Sequence, residues 1–137
     1  MEGIFGYGDY RDYLKYVLRL RCSRNRHYSQ RAFARDIQIV PHRLSQVLRG
    51  KQGISRKAAL KMSESLNMSE SETQYFCDLV DSLHCRSQVG KREALARAIQ
   101  AKQEYDLINV PTEVLFPNSQ NQVFPVPRNG QTRGNPQ

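Results

Sequence analysis

Apolar residues recur at helical spacing along most of the chain, and short polar breaks separate the runs. Tyr10, Tyr13, Leu14, Val17 and Leu18 stand at i, i+3, i+4, i+7 and i+8, one buried stripe of a helix. Asp9 stands before it as an N-cap, which predicts a first helix reaching about Arg24. Asn25 to Tyr28 break the pattern, and Ser29 caps a second helix that ends near Asp36 or Ile37. Phe33, Ala34 and Ile37 share one face of it. Gln38-Ile39-Val40 is too short for anything but a turn. Pro41 suits the first position of a third helix, which carries Leu44, Val47 and Leu48 on one face and stops after Arg49 at Gly50. Ser55 caps a fourth helix with Ala58, Ala59, Met62 and Leu66 inward and a stop at Asn67. Ser69-Glu70-Ser71-Glu72 is a capping box that opens a fifth, with Tyr75, Phe76, Leu79, Val80 and Leu83 as its stripe. Residues 86–90, with Gly90, predict a break. A sixth helix is expected from about Lys91 to Leu107, with Leu95, Ala98, Ile99 and Tyr105 on one side.

After Asn109 the periodicity stops, and Pro111, Pro117, Pro125, Pro127 and Pro136 are scattered among Asn and Gln. The expected organisation is an all-α domain of five to six helices over residues 1–109, followed by a mostly disordered tail over residues 110–137. Val123-Phe124-Pro125-Val126-Pro127 reads as an apolar patch in that tail, or as a docking segment for a protein partner.

Composition narrows the picture. The 137 residues are 39% hydrophobic with a mean hydropathy of −0.68, so the core is small and stability can lean on a partner. No apolar run approaches the roughly 20 residues that span a bilayer. The start MEGIFGYGDY lacks a basic segment followed by an apolar one, which predicts no secretory signal and a cytoplasmic location. Cys22, Cys77 and Cys85 are an odd number without a CxxC, against a disulfide framework. Cys77, His84 and Cys85 have no fourth ligand at metal-site spacing, so buried free thiols are expected and no metal. There is no Gly-rich phosphate loop, no paired carboxylate site and no Cys–His or Ser–His arrangement. Neither an enzyme nor a cofactor is therefore expected.

Charge changes the picture most. The net charge of +8 is unevenly spread: between Arg11 and Lys61, fourteen Lys or Arg face two acids, Asp12 and Asp36. Met62 to Cys85 holds five acids and neither Lys nor Arg. Basic charge concentrated in this way suits a polyanion, and it coincides with the second and third helices. Two helices joined by so short a link cross steeply, as in a helix-turn-helix, whose second helix can enter a DNA major groove.

Residues 30–51, QRAFARDIQIVPHRLSQVLRGK, resemble the helix-turn-helix of the Cro and phage-repressor (Xre-like) family without a gap. The resemblance rests on Gln30, the small Ala34, the aliphatic Ile39, Leu44 and Val47, and the closing Arg49-Gly50-Lys51. Gly53-Ile54-Ser55 through Leu66-Asn67-Met68-Ser69 is similar to the same family's fourth helix. Over residues 7–105 the chain also resembles the DUF4423 family of predicted bacterial transcriptional regulators. Tyr10-Arg11-Asp12-Tyr13-Leu14, Ser29-x-Arg31-x-Phe33-Ala34-Arg35, Leu48-x-Gly50-Lys51 and Glu72-x-x-Tyr75-Phe76-x-x-Leu79-Val80 carry that likeness. Two positions depart from the repressor pattern. Gln38 replaces the usual turn Gly, at a cost of roughly 1 kcal/mol if the backbone is left-handed. Pro41 lacks an N–H for a phosphate.

The resemblance implies a sequence-specific regulator that reads double-stranded DNA. By position, Val40, His42 and Gln46 are implied to reach base edges, with Arg43 nearby; Arg43 serves equally as a phosphate clamp, and His42 as a solvent-facing polar residue. Gln pairs bidentately with adenine and Arg with guanine. Gln30 matches a phosphate-binding position, and Arg31, Arg35, Arg49, Lys51, Arg56 and Lys57 are candidates for further backbone contacts. A homodimer on a palindrome, with the fifth and sixth helices as dimer elements, is expected. The rival is a non-catalytic protein–protein adaptor on the same scaffold. The polar face and the basic segment disfavour it, since an adaptor more often exposes an apolar patch there.

Overall fold

The computed structural model describes residues 3–109. The tail expected over residues 110–137, with its Val123–Pro127 patch, lies outside them. The described residues hold a 3-10 turn at Ile4–Gly6 and six α-helices, with no strand among them. These are α1 (Tyr10–Arg24), α2 (Gln30–Asp36), α3 (Pro41–Leu48), α4 (Arg56–Ser65), α5 (Glu70–His84) and α6 (Gln88–Asn109). Packing divides the chain after Lys102, so the last turns of α6 belong to a second unit that begins at Gln103.

The starts of α1 to α5 are those the sequence predicts. Asp9, Ser29, Ser55 and Ser69 each accept a hydrogen bond from a backbone N–H of the first turn, and Ser69 with Glu72 closes a full capping box. The ends of α2, α3 and α4 share one solution. Gln38, Gly50 and Asn67 have φ of 65°, 79° and 57°, the left-handed conformation that closes a helix. The next N–H then reaches back five residues: Ile39 to the Ala34 carbonyl, Lys51 to Gln46 and Met68 to Ser63, at 2.9–3.0 Å. Ile39 and Met68 turn onto the core at the same points. The left-handed residue expected at Gln38 is thus present, and its amide donates to the Ser65 hydroxyl at 2.9 Å, tying the turn to the end of α4.

Tyr10, Tyr13, Leu14 and Val17 of α1, Phe33, Ala34 and Ile37 of the α2 segment, and Leu44, Val47 and Leu48 of α3 are all buried. The α5 helix supplies an unbroken buried run from Tyr75 to Val80. Ile4 and Phe5 are buried as well, a contribution the helical periodicity did not predict. The Phe5 and Tyr75 rings lie 4.8 Å apart, and the Tyr75 hydroxyl donates to the Tyr7 carbonyl at 2.7 Å.

Three expectations are corrected. Leu83, assigned to the buried stripe of α5, is 40% exposed. The sixth helix starts at Gln88, because Ser87 caps it: its hydroxyl accepts from the Gly90 N–H at 2.9 Å and its carbonyl from Lys91 at 3.0 Å. Of the four residues expected on one side of α6, only Ala98 is buried. Ala94 and Ala98 are buried, while Leu95 and Ile99 are about half exposed and Tyr105 is exposed. Alanines let the α6 backbone approach closely, and Arg97, on the same face, donates to the buried Asp78 carboxylate at 3.1 Å. Rotating Leu95 and Ile99 inward would break that pair.

Candidate nucleic-acid interface

The residues expected to read bases fall on and beside α3. Val40 is its N-cap and is 66% exposed, held in an extended conformation by the fixed ring of Pro41. His42 and Arg43 are exposed and Gln46 is half-buried, whereas Leu44, Val47 and Leu48 anchor the opposite side. The helix is therefore polar outward and apolar inward over two turns, and its outer face is open.

Arg43 is less free than its exposure suggests. Its guanidinium donates to the Gly53 carbonyl at 3.1 Å, which bridges α3 to the loop before α4. That loop rests on His84 of α5. A Cβ built on Gly53 would stand 2.5 Å from the imidazole Nδ1, so only glycine fits there. The other ring nitrogen of His84 is hydrogen-bonded to the buried Tyr10 hydroxyl at 2.9 Å. Burial holds the His84 imidazole below its ordinary pKa, and the Arg11 guanidinium adds to the effect. Burial pushes the Tyr10 phenol up to about 12.

The residues expected to hold phosphates divide into two groups. Gln30, Arg31 and Arg35 on α2, Arg49 and Lys51 after α3, and Lys57 on α4 are exposed, and none has a carboxylate partner among the described residues. Arg56 differs. Its guanidinium lies between Asp81 and the buried Asp78 of α5; burial lowers its pKa, but the bond and charge of Asp81, with Cys77 and Asp78, together raise it. Among the described residues it is the one of the seven whose charge is paired with carboxylates of the protein itself.

Other cations are also neutralised. Arg11 pairs with Asp9 at 3.0 Å and Arg21 with Asp36 at 3.3 Å, where Tyr28 also donates to the same carboxylate. The acids of this chain thus take up a few specific arginines and leave those near α3 uncompensated.

A second feature was missed by the sequence reading. An open groove of about 440 Å³ lies between α1, α2 and α3, lined by Lys15, Leu18, Arg19, Gln30, Ser45, Leu48 and Arg49. Lys15 and Arg19 stand one helical turn apart on α1. Reading α1 for its buried stripe leaves these two as surface charge, because only the fold brings them beside Gln30 and Arg49. Among the described residues no group of three or more His, Cys, Asp and Glu side chains gathers as a metal site. Comparison of the chain with protein-family models, with curated proteins and with solved structures returned no match.

Proposed function

We propose that this protein is a sequence-specific, double-stranded DNA-binding transcriptional regulator of the cytoplasm. In this reading α2, the turn and α3 are a repressor-like helix-turn-helix, and α3 enters the major groove. The observation that carries it is the outer face of α3. Val40, His42, Arg43 and Gln46 are presented on a helix anchored from behind, among exposed cations without carboxylate partners. Gln46 offers an amide for adenine, Val40 a methyl surface for thymine, and His42 a ring nitrogen. Arg43 takes the phosphate-clamp role more readily than the base-reading one, because its bond to Gly53 would have to break first.

The partner in this reading is a second copy of the chain. The α5 helix is buried over its middle, from Tyr75 to Val80, and offers less apolar surface than α6. The α6 helix exposes Leu95 and Ile99, one turn apart, and they are its dimer surface. The same pair gives the adaptor reading its one support, since exposed leucine and isoleucine on a helix also suit a foreign protein.

Selection of binding sites from a random duplex library, at about 100 mM salt, tests the reading. Enrichment of a short motif, repeated as a palindrome, is the expected result. A folded protein that enriches nothing would leave the adaptor as the better account.

A further inference from the structure

The groove between α1, α2 and α3 has a composition that the reading of α3 does not require. Lys15, Arg19 and Arg49 surround it, Gln30 and Ser45 add neutral hydrogen-bonding groups, and no carboxylate lines it. None of the three cations has a carboxylate within ion-pair distance among the described residues. Arg11, one turn before Lys15 on α1, is neutralised by Asp9, so the free charge begins at Lys15. Leu18 and Leu48 form an apolar floor. A concave site with three unpaired cations on a low-dielectric floor focuses a positive potential and favours an anion.

We infer that this groove is a second DNA contact, in which Lys15 and Arg19 of α1, together with Arg49, hold the phosphodiester backbone beside the base pairs read by α3. The inference rests on the DNA-binding reading and extends it to a helix outside the two-helix motif. Ser45 and Arg49 connect the two surfaces. Both belong to the α3 segment and line the groove, while Gln46, the neighbour of Ser45, belongs to the outer face. A strand passing along α3 therefore meets the groove without leaving the protein surface. Gln30, at the near end of α2, gives the backbone a neutral donor between the cations of α1 and α3. The contact is to phosphate and carries no base preference.

The test is the salt dependence of binding to the duplex selected by the wild-type protein, measured for the full chain and for the double variant Lys15→Gln/Arg19→Gln. Each lost phosphate contact flattens the log–log salt slope by about 0.9. The double variant is expected to flatten it by nearly 2 and to bind tens of times more weakly at about 100 mM salt, a deficit that fades as salt rises. Its selected sequence should be that of the wild type. Arg19→Gln alone, at an exposed position, should give about half the flattening and guards against a folding defect at the half-buried Lys15. An unchanged slope in both variants, with the duplex still bound, overturns the inference and leaves the DNA-binding reading standing. A changed base preference overturns it as well, because it would place these side chains on base edges. A wild-type protein that selects no duplex removes the DNA-binding reading, and this inference with it.

Discussion

Gly53 shows how much a single position can hold. Its carbonyl accepts Arg43 and its bare Cα lies against the His84 ring. Gly53→Ala should therefore displace the imidazole, strain the bond to Tyr10 and cost about 1–3 kcal/mol by overpacking; urea denaturation measures the loss. His84 itself confers a pH dependence. The unfolded imidazole titrates near 6.5 and the folded one lower, through burial first and Arg11 second. Below pH 6.5 the unfolded chain binds a proton that the folded protein resists, so stability is full above that point and falls as pH drops toward the folded value. Asp9 and Lys91 also act on the ring, in opposite directions. The melting temperature of the wild type should decline from pH 7 toward 5.5, and that of His84→Gln should decline less. These contacts were not legible in the sequence, because Tyr10, Gly53 and His84 are far apart in the chain and no local spacing connects them. The pairing of Arg56 was hidden for the same reason: its carboxylate partners come from α5.

At the scale of elements, the helices from α1 to α5 were legible because two independent signals agree in each. The apolar period marks the body, and a capping side chain or a left-handed residue marks an end. Only the start of α3 relies on Pro41 in place of a side-chain cap. The α6 helix was placed, but of its expected side only Ala98 packs inward; Ala98 with the small Ala94, and the bond from Arg97 to Asp78, decide its rotation. The outward Leu95 and Ile99 then become testable as an interface. Leu95→Lys/Ile99→Lys should leave the far-ultraviolet circular dichroism of the protein intact and halve its mass by light scattering. An unchanged mass would refute the α6 dimer.

At the scale of the whole molecule, charge and packing are arranged together. Asp9, Asp36, Asp78 and Asp81 each hold an arginine in place, and the remaining cations around α2, α3 and the groove lack such partners. If about six phosphates are neutralised, the log–log salt slope of duplex binding should be near −5. A slope near zero would remove the electrostatic basis of the proposal. The charge asymmetry was legible from residue counts alone, but which cations are spent internally required the fold. The tyrosine packing has a consequence of another kind, which is optical. The chain has seven tyrosines and no tryptophan, so its near-ultraviolet absorbance and emission come mainly from phenols. Tyr10, edge-on to Phe76 and bonded to His84, ionises only at about 12, and burial delays Tyr13 and Tyr28 as well. An alkaline absorbance titration of the folded protein is therefore stepped, with a late fraction that merges into the ordinary phenol transition once the chain unfolds, so the protein carries its own unfolding indicator without a label.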